Sequence, residues 1–316
     1  MAINQIQFQI GLSLVEFMKI FKDEKSCRSY LRKQKWPDGF RCRRCSYERS
    51  SLQIKGIRET HECLNCFYKE SLIAHTLFEH SHLPLKTWFL GIQLLTQAKT
   101  CMSAMELHRH LQVNIKTAHL MKHKIMETLT ESEDKRVLQG RIECNDAYLG
   151  RVNQSGKTDQ SSETKASFLA AIQTDNSHHP KFAVLYPVEK LNRAEVTRWA
   201  KEHIAPRSLV LSDDLDCFKA LDSAYQHRSY NRKVTSQSST DSEFKWVDTI
   251  LGNIKTAFSG ALHAFDFRKY CGRYLGNMQF RFNHRFDLKE CFYEVLHLSV
   301  LTKPKTAKVL FSQKHG

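Results

Sequence analysis

Two cysteine pairs constrain this chain more than any other feature. Cys42-Arg-Arg-Cys45 and Cys63-Leu-Asn-Cys66 are each of the form CxxC, with 17 residues between them. Zn²⁺ takes four cysteine sulfurs in a tetrahedron, and each CxxC supplies two of them from one tight turn. Cys42, Cys45, Cys63 and Cys66 are therefore expected to hold one zinc ion. Four protein ligands leave no position for water, so the expected zinc is structural. Ten cysteines in a basic chain fit metal binding and free thiols better than disulfides. Arg41, Arg43, Arg44, Arg49, Lys55 and Arg58 surround the pairs. They read either as phosphate contacts or as a solvated basic face.

Charge narrows the partner. Lys plus Arg outnumber Asp plus Glu by 48 to 33, a net charge of +15. That excess points to a polyanion, nucleic acid before membrane. With 316 residues, 41% of them hydrophobic, the chain can build a sizeable core and two or three domains. No apolar run approaches the ~20 residues of a membrane span. The start, MAINQIQFQIGLSL, lacks a basic segment and a small-residue cleavage site, so a cytoplasmic protein is expected.

Taken in order, residues 12 to 35 show helical spacing through Leu14, Phe17, Met18, Phe21, Cys27, Tyr30 and Leu31. Residues 84 to 130 read as all-helical. Ser103 is the expected N-cap of one stretch, with Glu106 completing a capping box. The next stretch begins after Asn114 and carries Lys116, His119, Lys122 and Lys124. Helix, short turn and basic helix fit a DNA-binding helix-turn-helix or an ordinary helical hairpin. A charged linker, 131–139, marks a boundary. Three strands follow between about 141 and 188, then a helix at 192–202, a strand at 209–211 and a helix at 214–225. Polar loops are expected at 153–164 and 229–242. From 243 the pattern is helical, with basic amphipathic stretches at 265–282 and 287–301. A polar tail from Lys303 reads as unstructured.

Acids mark the second half. Asn145 and Asp146 sit side by side in GRIECNDAYLGR, Asp213 and Asp214 end the run SLVLSDD, and Asp248 lies in the helix FKWVDTILGNIK. Acids from two strand ends and a later helix can converge on divalent cations, as a two-metal nuclease site requires. Asp213 is read as the metal ligand and Asp214 as the cap of the next helix. Asp248 is either a ligand or a solvated helix residue. Lys255, two turns later on nearly the same face, is either a phosphate contact or a surface lysine. His263 is a substrate contact or a structural histidine. Arg281, Asn283 and Arg285 are read either as DNA-backbone contacts or as packing against core acids.

The tracts CRSYLRKQKWPDGFRCRRC, ECLNC, NDAYLG, LSDDLDCF, LGNIKTAFSGALHAF and YLGNMQFRFNHRFDL, in this order, resemble a bacterial insertion-sequence transposase of the ISXO-like family. The resemblance spans about residues 14 to 300. It implies an α+β multidomain chain: an N-terminal helical segment (1–35), a zinc ribbon (36–80), a helical, helix-turn-helix-like DNA-binding region (81–135), a ribonuclease-H-like DDE-type core with C-terminal helices (136–303) and a tail (304–316). It further implies DNA partners, both element terminal repeats and target DNA, a homodimer or higher assembly on DNA, a nucleoid-associated place in the cytoplasm, and two catalytic Mg²⁺ or Mn²⁺ ions. By the family pattern the first catalytic carboxylate falls on Asn145, with Asp146 beside it, the second on Asp213 and the third on Asp248. Lys116, Lys122, Lys255, Arg281 and Arg285 are the expected DNA contacts.

The sequence departs from the family twice here, at Asn145 and at Arg151 where a second glycine is expected. An Asn in place of a bridging Asp removes one charge and is expected to lower the rate about 10²-fold or more. Strand alternation turns Asp146 to the opposite face, so only a bulge would exchange the two. Two readings follow: a transposase, impaired in this copy, or a DNA-binding protein that has lost its chemistry.

Overall fold

The computed structural model describes residues 11–98, 101–149, 166–230, 244–261 and 266–312. Gly150, Arg151, His263, the loop expected at 153–164 and most of that expected at 229–242 lie outside the described residues. Contacts divide the chain into two units, residues 1–128 with 284–311, and residues 129–283 with 312–316.

In the first unit the helical spacing of residues 12–35 is realised as two helices, α1 (Leu14–Ile20) and α2 (Glu24–Lys35). The break comes from a capping box. Ser26 N donates to Asp23 Oδ1 at 2.7 Å, and Asp23 N donates to Ser26 Oγ at 3.2 Å. Such reciprocal bonds satisfy amide groups that the helix itself cannot, and so fix its start. Strands β1 (Ser50–Lys55), β2 (Arg58–Cys63) and β3 (Lys69–Ser71) form an antiparallel sheet in that order. Helix α3 (Leu85–Gln97) begins after Pro84, which has no side chain to cap it. Glu24 does so instead, accepting from Leu85 N at 2.9 Å and Lys86 N at 3.0 Å. Helices α4 (Ala104–Leu111) and α5 (Ile115–Glu133) meet at Gln112, whose φ of 52° turns the chain. Ser103 caps α4 through Glu106 N at 3.0 Å, and Asn114 Oδ1 receives Lys116 N at 2.9 Å.

The second unit is built on one mixed sheet. Its elements run β4 (Arg141–Leu149), β5 (Ala166–Thr174), β6 (Pro180–Val188), α6 (Arg193–His203), β7 (Leu209–Asp213), a 3-10 turn (Asp216–Leu221), β8 (Gln226–Tyr230), α7 (Trp246–Ala261) and α8 (Phe267–Asn283). The strand order is β6-β5-β4-β7-β8. The first three strands are antiparallel neighbours, whereas β4–β7 and β7–β8 are parallel. Three strands, a helix, a strand and a later helix are what the resemblance implied. Two details differ. The helix expected at 214–225 is only a 3-10 turn, and β8 was not foreseen. The cap position of that turn falls on Leu215, so Asp214 does not have the capping role expected of it.

Alternation in β4 sorts its side chains onto two faces. Ile142 and Cys144 enter a buried apolar cluster with Trp199, Val210, Phe218 and Leu221, roofed by α6 and the 3-10 turn. Glu143 and Asn145 face the other way, toward α7. Helix α8 closes the β6 edge. Asn283 exchanges hydrogen bonds with the Ala183 backbone at 2.7 and 3.0 Å, and Gln279 Oε1 receives Leu185 N at 2.8 Å. Asn283 Nδ2 also donates to Glu133 at 2.7 Å. Asn283 therefore packs against a core acid and a strand edge, the second of its two expected roles. Gly276 brings α8 close to α5 as well: a Cβ there would stand 2.2 Å from Thr130 Oγ1.

Residues 284–311 return to the first unit, whereas the sequence reading carried the catalytic core through residue 303. Helix α9 (Leu288–Leu301) puts the Phe292 ring 5.9 Å from Phe17 and 5.8 Å from Phe21, and Phe21 in turn lies 5.1 Å from Phe89. The tail expected to be unstructured contains α10 (Ala307–Ser312). It is held by a fully buried Leu310 and by Lys305, which pairs with Glu127 at 2.6 Å.

Candidate active site and metal centre

The cysteine cage is made by one loop used twice. Cys42 N donates to Tyr47 O at 2.9 Å and Ser46 N to Cys42 O at 2.8 Å. Cys63 N donates to Tyr68 O at 2.9 Å and Phe67 N to Cys63 O at 3.1 Å. Ser46 and Phe67 take left-handed φ values of 60° and 56°. The shared pattern is CxxCxY, whose tyrosine the CxxC spacing alone did not reveal. All four sulfurs lie within 4.8 Å of one another, with Cys42–Cys66 at 3.6 Å and Cys45–Cys63 at 3.5 Å. Zn–S bonds of about 2.3 Å in a tetrahedron require sulfurs about 3.8 Å apart, so the cage fits zinc. The Tyr47 amide donates to Cys45 and brings its thiol down to about 6, which favours the ligating thiolate.

The cage is anchored to α2 by a buried acid. Glu59 accepts both Arg32 Nε at 2.8 Å and Arg32 Nη2 at 2.7 Å, and lies 3.0 Å from His61 Nε2. Burial raises its carboxyl, but the His61 and Arg32 hydrogen bonds outweigh it and hold the group below the usual range. Around the cage Arg41, Arg43, Arg44, Arg49, Lys55 and Arg58 are all exposed.

In the second unit, Asn145 Nδ2 donates to Asp248 Oδ1 at 3.2 Å. Asp213 follows Ser212, which is paired with Cys144 in the parallel register of β4 and β7. Continuing that register sets Asp213 beside Asn145, on the same face of the sheet. Asn145 is 5% exposed, Asp213 is half-buried and Asp248 is exposed. Asp146 lies on the opposite face, where its charge raises the Tyr148 hydroxyl and the Cys217 thiol beyond what burial already does. No bulge interrupts the β4–β5 register from Arg141 to Leu149.

Two buried networks support these positions, and neither was read from the sequence. Glu143, 1% exposed, stands two residues before Asn145 on the same face of β4. Its Oε2 accepts the first amides of α7, Trp246 N at 2.7 Å and Val247 N at 3.1 Å, while its Oε1 receives Arg141 Nη1 at 2.8 Å. A charged residue in an apolar strand, two positions from a candidate ligand, was the available signal. Below Asp213, Ser212 Oγ lies 2.8 Å from His227 Nε2, and His227 Nδ1 lies 2.5 Å from Asp222 Oδ1. The trio has the composition of a nucleophilic triad, but Ser212 is fully buried and no substrate can reach it. It ties β7 to β8.

The expected DNA contacts separate by burial. Lys116 and Lys255 are exposed, and Arg281 is half-buried. Arg285, also half-buried, lies 4.0 Å over the Phe286 ring, and burial brings its guanidinium down to about 10. Lys122 is 2% exposed, and burial lowers its ammonium to about 8. It therefore does not present the phosphate-facing charge expected of it. Lys124 is buried as well and donates to Leu77 O at 3.2 Å, so α5 has no continuous basic face.

Comparison with known proteins places this geometry. Residues 137–283 match the ISXO2-like transposase domain, and residues 22–69 match the transposase zinc-ribbon domain. A protein of Halobacterium salinarum, described as an uncharacterized protein in transposable element ISH50, is 24% identical over 150 residues. The match covers 47% of this chain and 49% of that protein, so the chain spans about half the length of this curated relative. Both matches are to transposase domains, one over the cysteine cage and one over the mixed sheet. The chain is similar to the ISXO2-like transposase family through residues 137–283. None of the described helices is long and apolar enough to cross a membrane.

Proposed function

We propose that this chain is an insertion-sequence transposase that binds its element's terminal repeats and target DNA, and cleaves and joins strands at Asn145, Asp213 and Asp248. The observation that carries this reading is the approach of Asn145 to Asp248 at 3.2 Å, with Asp213 beside Asn145 in the continued register. The three positions come from two strands and a helix, and they are the ones the family pattern assigns. The exposed arginines of the ribbon, with Lys116, Lys255, Arg281 and Arg285, supply the phosphate contacts. The protein works as a homodimer or larger assembly on DNA, at the nucleoid in the cytoplasm.

The donors suit a hard divalent cation in part. Asp213 and Asp248 offer carboxylate oxygens from different elements, the kind of ligand Mg²⁺ or Mn²⁺ takes. Asn145 offers only a neutral amide oxygen. Its Oδ1 already accepts Asp146 N at 2.9 Å, and its amino group, which cannot ligate, points at Asp248. Asp213 and Asp248 would hold such ions, which when bound would supply an activated oxygen nucleophile and stabilise a leaving 3′ oxygen. The chain's own contribution is to orient the two acids and to hold the DNA against them.

Cleavage of an element-end duplex in Mg²⁺ or Mn²⁺ tests the proposal. The parent is compared with Asn145→Asp and Asp146→Ala, with Asp213→Ala as the blank. Weak cleavage by the parent, strengthened in Asn145→Asp, is the expected result. Strong parental cleavage abolished only by Asp146→Ala would move the first catalytic position to Asp146. Cleavage by no variant would favour a second reading, a transposase-derived DNA-binding protein without chemistry. The engagement of both amide atoms of Asn145 is the observation on that side.

A further inference from the structure

We infer that Glu143 is a positioning residue that sets where Asp248 meets Asn145. The inference rests on the reading of Asp213 and Asp248 as the cation-holding acids. Asp248 lies in the first turn of α7, so its place depends on where that helix starts. The first amides of a helix have no partner within it, and a carboxylate there is favoured by the aligned peptide dipoles. Glu143 Oε2 accepts two of them, from Trp246 at 2.7 Å and Val247 at 3.1 Å.

The same carboxylate is held from behind. Arg141 Nη1 donates to Oε1 at 2.8 Å and to Thr174 Oγ1 at 3.1 Å, which spans β4 and β5. The helix start is thus referred to the strand that carries Asn145, two residues on and on the same face. Both oxygens are needed: one faces helix amides and the other a guanidinium, and all of these are donors. An amide side chain of the same size cannot meet both, because its amino group would confront a donor. That distinguishes positioning by charge from the filling of space.

Glu143→Gln and Glu143→Asp, made in the full chain, test this. The first keeps size and loses charge. The second keeps charge and shortens the reach by roughly 1.5 Å, one carbon–carbon bond. Hydrogen exchange over residues 244–252, with the α6 peptide as internal reference, reports on the helix start. Mn²⁺ titration followed by electron paramagnetic resonance reports on the acids, with Asp248→Ala as control. The expected result is faster exchange confined to the α7 start and Mn²⁺ binding weakened about tenfold, as for other groups that orient metal ligands. Unchanged exchange in both variants overturns the clamp. Faster exchange with parental Mn²⁺ affinity, while Asp248→Ala loses it, leaves a structural cap and overturns the positioning role. Should Asp248→Ala bind Mn²⁺ as the parent does, the reading of the acids falls and takes this role with it. A variant that fails to fold is recognised by fast exchange in α6 as well, and the other variant then decides.

Discussion

Asn145 and Asp248, 103 residues apart in the chain, share a hydrogen bond in which the amide donates to the carboxylate at 3.2 Å. A second acid at position 145 would turn that attraction into repulsion unless a cation lay between the two. Asn145→Asp is therefore expected to be less stable than the parent in chelator and to recover when Mn²⁺ is added. Melting curves with and without the ion measure this. Equal melting of parent and variant in both conditions would separate position 145 from the cation site.

Metal analysis of the purified chain should give about one zinc per chain, as four thiolates in one tetrahedron require. Cys63→Ser is expected to lose that zinc, and exchange protection with it, over residues 36–80. Retention of both would show that the cage is not held by this set of cysteines.

Burial sorts the basic residues into two experimental classes. DNA affinity of the full chain should fall steeply between about 50 and about 200 mM salt, as several phosphate contacts demand. Lys116→Ala and Lys255→Ala should each reduce the salt slope by about one. Lys122→Ala should leave the slope unaltered, because Lys122 is buried and faces no phosphate. Fluorescence anisotropy across a salt series measures all three, and a reduced slope in Lys122→Ala would contradict its buried place.

Glu133 gives the second unit a defined acid limit. Burial raises its carboxyl, but Arg136, followed by Asn283 and Gln279, holds it below the ordinary value of 4.5. A carboxyl lowered in the folded state contributes stability that is present above the unfolded value. That contribution is lost as pH falls from about 4.5 through the folded value. Glu133→Gln should cost about 3 kcal/mol near neutrality, the scale of a broken buried pair. The difference from the parent should shrink as the pH falls through that window. Exchange of β6 amides at a series of pH values reads it, and a difference that grows in acid would reverse the sign of the argument.

Legibility followed from how local each signal was. Periodicity disclosed the strands from 141 to 188, α6, β7 and α7, because apolar spacing reports a buried face directly. It merged α1 with α2, since the Asp23–Ser26 box interrupts the backbone without breaking the apolar stripe. It missed β8, whose sequence QHRSY holds no aliphatic residue and relies on pairing with β7. Position within the family pattern singled out Asn145, Asp213 and Asp248, of which Asn145 and Asp248 share a hydrogen bond, and alternation assigned Asp146 to the other face. Burial of a charge was beyond reach: Lys122 and Lys124 look like a basic helix face until their surroundings are known. Glu143 was hidden for the same reason, the amides it accepts lying on a helix over a hundred residues away. Distance also misassigned α9, because an amphipathic helix does not say which apolar surface it meets.

The doubled CxxCxY loop carries one more consequence. The cysteines and the tyrosine backbone are spent on the cage, while Arg43 and Arg44 in one copy and Leu64 in the other are exposed between the cysteines. Architecture and display therefore occupy different letters of the same short word. Arg43, Arg44 and Leu64 can be exchanged without altering a ligand, whereas Asn65 cannot, because its Nδ2 donates to Cys45 Sγ at 3.8 Å.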